Sequence, residues 1–481
     1  MPVGRHPDPG TLYDAVVIGA GFSGLAAAVR FASLGRKVCL LERHTIPGGL
    51  NSYYSLGGRV YDVGLHALTN YNTGDARAPL RRALRRLGLE VADLGLDPQT
   101  TSRIALGEAE LVFSNDPAFL EDGIAARYPA EVDGYRRMVQ ALPGYADAAE
   151  MAGRGGAREF LARYLHSDTL RELLLMPPML YGSPSEDDMD FGVFAALFRA
   201  IFLEGLCRPR GGIRTLIRLL LRRLREEGGE SYFGCGVRRF EVEDGRISAL
   251  VLDDGTTLQA RRVLSSIGLH ETLALAGTAT PTGAAGRISF AETFTVFSGT
   301  PADFAWKDGV VFFSRGPRFI YHKPDGLVEP ASGVICIPEN FGPSEGRQEG
   351  PQKGRRPEAS LRITCLANHE NWTRLSEDDY RLEKQRCFAE MRRVALDFLA
   401  RPGAGVLEAR TLATDMFTPR TIVKYTGHFA GSVYGTPAKS WKGVTPFANL
   451  RVCGTDQGGL GVVGAVISGL WSADLMALSK T

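Results

Sequence analysis

The chain has 481 residues, 44% apolar and 23% charged, with a formal net charge of +2. Such values are ordinary for a globular protein of two or three domains, and so small a net charge excludes nucleic acid as an expected partner. The seven cysteines form no CxxC pair and no zinc-like spacing with histidine, so buried reduced thiols, no metal site and a cytoplasmic setting are expected. Residues 1–10 do not read as a secretory signal. No run of about 18 uncharged apolar residues is present, so a membrane span is not expected, while peripheral contact stays open.

The first elements alternate. Asp14–Ile18 reads as a short buried parallel strand, Gly24–Leu34 as a helix and Lys37–Glu42 as a second strand, which together make a βαβ unit. From about Pro79 to Leu206 the periodicity is helical. A helix at Ile213–Glu227 precedes hairpin text: Val237–Glu243, the turn Asp244-Gly245, Ile247–Leu252, the turn Asp254-Gly255 and Thr257–Leu264. Residues from about Phe290 to Cys365 alternate like an antiparallel sheet. They are interrupted by Gly342–Ser360, which is so poor in apolar residues that it reads as a flexible surface insertion. A long helix, Glu377–Arg401, follows. The chain then closes with a strand, Leu450–Gly454, a glycine turn, and a helix near Gly464–Leu478.

The strongest local motif is Gly19-Ala20-Gly21-Phe22-Ser23-Gly24 between the first strand and helix. In such a turn Gly19 permits the reversal, Gly21 lets backbone approach a pyrophosphate, and Gly24 lets the helix pack closely on the strand. Unpaired N–H groups at the helix start face the phosphates. Glu42 ends the second strand about twenty residues on, where an acid receives ribose hydroxyls. After Arg43, a second glycine pair, Gly48-Gly49, suits a loop passing close to an extended cofactor, which favours FAD over NAD.

The stretch ERHTIPGG (Glu42–Gly49), followed by GRVYDVGLH (Gly58–His66), resembles the N-terminal signature of the FAD-dependent family of phytoene desaturase, carotenoid isomerase and retinol saturase, relatives of the flavin amine oxidases. Pro209-Arg210-Gly211-Gly212 resembles the family's central block, and Asn449–Asp456 its C-terminal flavin strand. The resemblance implies cofactor contacts from Gly19, Gly21, Phe22, Ser23, Gly24, Glu42, Arg43, Gly48, Gly49, Leu50 and Asn51. It further implies an adenine contact from the backbone of Val237, a ribityl contact from Asp456, and a helix start at Val463 and Gly464 set against the flavin. Gly459–Gly464 also spells GxGxxG. It is read as that turn and not as a second nucleotide site, because no second strand or ribose-binding acid follows it.

By the same resemblance His66 lies near the flavin ring, and Tyr425 and His428 are pocket residues with a catalytic role. The apolar stretch Phe191–Leu206 reads as core, as the wall of a long apolar tunnel, or as a membrane-surface contact alone. Desaturases of the family often carry Arg after the glycine pair. Leu50 and Asn51 stand here, which places the chain nearer the isomerase and saturase branch and favours a reaction that begins from reduced flavin.

The expected fold is α/β. A discontinuous Rossmann-type FAD-binding domain (1–76, 207–275 and 412–481) is joined to a mixed helical and antiparallel-sheet substrate domain (77–206 and 276–411). The expected activity is desaturation, saturation or cis–trans isomerisation of a long lipophilic polyene or isoprenoid, with the electron acceptor or donor unassigned. A flavin-dependent amine oxidase and a non-catalytic flavin or lipid carrier are the alternatives.

Overall fold

A computed structural model of the chain describes residues 6–478 apart from 65, 72–73, 76, 146–149, 151–152, 280–285, 343–356 and 404. Two seven-stranded sheets organise it. In the first, Leu12–Ile18 is the centre. It pairs in parallel with Val38–Glu42 on one side and Thr257–Ser265 on the other. Glu230–Phe233 and Leu450–Val452 extend the parallel order at the two ends. Ala15–Ile18 is buried throughout, as a strand covered on both faces must be. Thr257–Ser265 also pairs antiparallel with Arg246–Leu252, itself paired with Val237–Glu243, so the expected hairpin text forms a meander on this sheet.

The helix Phe22–Ser33 begins one turn after the first strand and is buried along nearly its whole length. Gly461–Leu478 packs against it so closely that a Cβ on Gly469 would lie 2.0 Å from the Ser23 carbonyl oxygen. Among the described residues Gly461–Leu478 is the one helix long and apolar enough to cross a membrane by length and composition, but half of it is buried inside the protein. It also carries Asp474, which accepts a 2.7 Å hydrogen bond from Arg30.

The second sheet runs Thr411–Phe417, Ser289–Ser298, Glu358–Ala367, Val328–Cys336, Val310–Ser314, Ser102–Leu106, Ala109–Phe113. It is antiparallel except where Val310–Ser314 meets Ser102–Leu106. Two expectations need correction here. Residues 79–206 are not all helical: Ser102–Leu106 and Ala109–Phe113 form a hairpin turned at Gly107 (φ +57°), and Leu96–Pro98 pairs with Cys207–Pro209. Leu96–Pro98 and, beyond its hairpin, Ser102–Leu106 also pair with strands about a hundred residues or more away, out of reach of any local periodicity. The boundary expected at 412 also falls inside Thr411–Phe417, a strand of the second sheet. Most of the insertion expected at Gly342–Ser360 lies outside the described residues. Its far end, from Glu358, is already strand.

Phe191–Leu206 resolves in favour of core. The α-helix covers Phe191–Phe198 and passes into one π-helical turn, Arg199–Leu203. Phe194 and Phe198 are fully buried, in a chain of ring contacts that runs from Phe160 through Phe194, Phe198 and Phe202 to Phe113.

Candidate active site

One large cavity lies where the C-terminal ends of the parallel strands face the second sheet. Its dinucleotide side is built from the first glycine turn. Gly19 adopts φ +91°, where a Cβ would lie 2.6 Å from Ser266 Oγ. A Cβ on Gly24 would lie 1.9 Å from the Gly19 carbonyl oxygen, so the helix can sit this close to the turn only with glycine there. Gly21 differs: a Cβ there meets nothing within 4 Å, and the space it would fill belongs to the cavity. The following helix has no side-chain cap and no acid in its first turn, which leaves its N–H groups and partial positive charge facing that space. Gly48 bridges to Gly21, and Gly48 and Gly49 both adopt positive φ (+116° and +58°), folding the second glycine loop over the first.

Glu42 holds the two loops together. Its carboxylate accepts hydrogen bonds from the Ala20 N–H at 2.7 Å and the His44 N–H at 2.8 Å, with acceptor sites left over for a ligand hydroxyl. Gly19, Gly21, Phe22, Ser23, Glu42, Arg43, Gly48, Gly49, Leu50, Asn51 and Val237 all line the cavity, as do His66, Tyr425 and His428. Gly24 acts behind the wall, through packing.

Besides Gly24, three expected cofactor residues do not line the cavity. The Asp456 carboxylate is buried and accepts 2.6 Å hydrogen bonds from the Leu269 and Thr436 N–H groups, so it braces protein loops, while Gly454 and Thr455 face the cavity. The final helix starts at Gly461 and presents Gly461, Val462 and Ala465. Each residue turns a helix by about 100°, so Val463 and Gly464 point elsewhere; Val463 packs in the core between this helix and Phe22–Ser33.

The three expected catalytic residues are not together. Tyr425 lies in the last turn of the helix Pro419–Thr426 and His428 just beyond its end, on the nucleotide side. The Tyr425 ring stands edge-on to His44 at 5.3 Å and is half exposed, and His428 Nδ1 lies 3.6 Å from Glu271. His66 is deeper, under the second sheet. Its Nε2 lies 3.1 Å from Thr364 Oγ1, and Nδ1 is buried without a hydrogen-bond partner. Burial, reinforced by the Arg362 and Arg208 guanidinium groups, pushes its pKa well below the usual histidine value, so the ring is neutral at physiological pH.

The opposite side of the wall comes from four neighbouring strands. Phe417, Glu292, Thr364 and Val334 are in register across the sheet and all face the cavity, with Phe290 two residues before Glu292. Leu180, Tyr181, Val433 and Tyr434 complete this side. Glu292 and Arg362 are 6% and 3% exposed and form a buried pair, with Arg362 Nε donating to Glu292 Oε1 at 2.6 Å. Burial pushes the Glu292 carboxyl up, while Arg362 and the Gly64 N–H pull it down. Sequence reading missed both residues. Their signal was one charge apiece inside otherwise uncharged strands, SFAETFTVFS and the apolar half of EASLRITCLA.

The glycine turns, the open cradle at Gly21 and the ribose-facing acid fit FAD, and with the second sheet closing over them they define an FAD-dependent oxidoreductase. The chain belongs to the flavin containing amine oxidoreductase family, whose model matches residues 22–477. It is 28% identical over 285 residues to the lycopene-forming phytoene desaturase of Pseudescherichia vulneris, a match covering 53% of this chain and 56% of that protein. The chain thus spans about half the length of the desaturases it matches. Prolycopene isomerase 1 of an Oncidium hybrid cultivar is 22% identical over 518 residues, covering 97% of this chain and 84% of that protein. Among solved structures, an oxidoreductase from Methanosarcina mazei shares the fold with a TM-score of 0.61 and 16% identity, over 96% of this chain and 99% of that one. Cyclohexylamine oxidase from Brevibacterium oxydans does so with a TM-score of 0.60 and 15% identity, over 97% and 99%.

Proposed function

We propose that the protein converts a long lipophilic polyene or isoprenoid by desaturation, saturation or cis–trans isomerisation. The observation that carries this reading is the substrate wall: Phe290, Val334, Leu180, Phe417 and Val433 line it without a net charge, because its carboxylate is matched by Arg362. The names of the matched desaturases and isomerases support the same substrate class.

Bound FAD supplies a two-electron acceptor or donor. In this reading Gly19, Gly21 and the first helix turn cradle the pyrophosphate, Glu42 takes the ribose, and Arg43, Tyr425 and His428 flank the nucleotide. Leu180 and Tyr181 cover the substrate opposite the second sheet and exclude water. Leu50 and Asn51 in place of an arginine support a reaction that begins from reduced flavin. Ile467 and Trp471, exposed on the outer face of the final helix, support peripheral contact with a lipid surface.

An amine substrate is disfavoured by one feature. Phe290 and Tyr434 meet edge to face at 5.7 Å and the Tyr434 hydroxyl donates to the Leu180 carbonyl, so these rings leave no parallel cage for a nitrogen.

The test is an anaerobic single turnover in which one polyene is offered to oxidised and to dithionite-reduced enzyme. Product from reduced enzyme with unchanged mass identifies an isomerase, and a gain of two hydrogens a saturase. Product from oxidised enzyme alone, with bleaching of the flavin, refutes the preference for reduced flavin and establishes a desaturase. Turnover of amines with none of polyenes overturns the substrate class.

A further inference from the structure

We propose that Glu292 is the proton-transfer residue of this site, an inference that rests on the polyene reading. Three carboxylates line the cavity among the described residues. Glu42 is engaged by the Ala20 and His44 N–H groups beside the nucleotide loop. Glu271 accepts a 2.6 Å hydrogen bond from the Phe429 N–H and faces His428. Glu292 alone stands on the substrate side, in register with Thr364 and beside Phe290.

Its position is set from two directions. Arg362, on the adjacent strand, grips Oε1. The Gly64 N–H, in the loop that precedes His66, faces the same carboxylate and pulls its pKa down. That loop rests on the second glycine turn, where a Cβ on Gly64 would lie 2.4 Å from the Leu50 carbonyl oxygen. Glu292 is therefore tied to the loop at Gly48–Asn51 while its own strand forms the substrate wall. A carboxylate has about four acceptor sites, so these bonds leave capacity for a proton. His66 is the weaker candidate, because its neutral ring already meets Thr364 and its Nδ1 is closed off.

The chemistry balances in each direction. In saturation the Glu292 carboxyl gives its proton to one carbon of the double bond. Bound reduced flavin would supply the hydride to the neighbouring carbon as the π bond breaks, and the carboxylate remains paired with Arg362. Desaturation is the reverse: Glu292 accepts the proton as the π bond forms, and bound oxidised flavin would take the hydride. In isomerisation Glu292 adds a proton to the polyene and takes one back after rotation, with no net redox change.

The experiment compares wild type, Glu292→Gln and the charge-balanced Glu292→Gln/Arg362→Met as holoproteins in the single-turnover assay, with FAD and polyene affinities measured separately. Both variants should keep those affinities within about threefold and lose about 100-fold or more in the rate of product formation. A rate within threefold of wild type overturns the assignment and leaves the polyene reading standing. Loss of FAD or polyene binding in both variants also overturns it, since the role is then structural. Absence of wild-type turnover on every polyene overturns the polyene reading together with this inference.

Discussion

On the dinucleotide side the cavity wall is largely backbone, and side chains there matter mostly by being absent. Gly19, Gly21, Gly24, Gly48 and Gly49 let two loops and a helix start close in on one volume. On the substrate side the wall is made of side chains standing on a sheet, and what matters is which residues come into register. A backbone site tolerates almost no added atom but needs few particular side chains. A sheet wall tolerates exchange of apolar groups yet depends on the single charged pair it buries. The two regions should therefore fail differently, and mutation can test that contrast.

The largest effects are expected in and behind the sheet wall. Arg362→Met leaves Glu292 as an uncompensated buried charge and should cost about 3–5 kcal/mol in urea unfolding, whereas Glu292→Leu/Arg362→Met should recover most of the loss. An uncorrected double variant would show that the pair stabilises the fold and does more than compensate for its own burial. Phe194→Ala should cost a similar amount, about 3–5 kcal/mol, because it empties a core site and not a substrate wall. FAD and polyene affinities of the folded variant should stay unchanged, and a selective loss of polyene binding would return this helix to the tunnel.

The glycine turn gives the sharpest contrast. Gly24→Val places a side chain against the Gly19 carbonyl and should destabilise the protein by about 3 kcal/mol, the upper end of overpacking. Gly21→Val points into open cavity and should leave the unfolding of the FAD-free protein nearly unchanged while abolishing FAD binding, read by flavin fluorescence. Equal destabilisation by the two would mean that Gly21 serves packing as Gly24 does.

Smaller again is Glu42→Ala, which removes a charge-assisted acceptor and should weaken FAD binding by about 1.5–3 kcal/mol in a fluorescence titration. The smallest effect is a pH dependence at His66. Its folded pKa lies below its unfolded value, so the unfolded chain binds the extra proton. The stability associated with the neutral ring is fully present above about pH 6.5 and falls by about 1.4 kcal/mol for each unit below it. His66→Gln should flatten that slope relative to wild type. Identical slopes would mean that the ring takes up a proton in the folded protein.

Much of the glycine-lined end of the cavity was legible from sequence because its determinants are local. A strand, a glycine turn and a helix occupy residues 12–33, and the roles of Gly19, Gly21 and Gly24 follow from what a Cβ at each would strike. Glu42 could be placed because one helix and one strand connect it to that turn. Where the reading depended on helical phase it slipped: Val463 and Gly464 were expected at the cavity, but Val462 and Ala465 face it, since an error of one residue rotates a side chain by about 100°. Family resemblance brought Tyr425, His428 and His66 to the same cavity but could not say which end each occupies. The substrate wall was decided by tertiary structure alone. Glu292, Thr364, Phe417 and Val334 meet through strand pairings that join residues far apart in the chain, and register is set by the packing of whole strands, so a lone glutamate in an apolar run shows its meaning only when the partner strands bring Arg362 beside it.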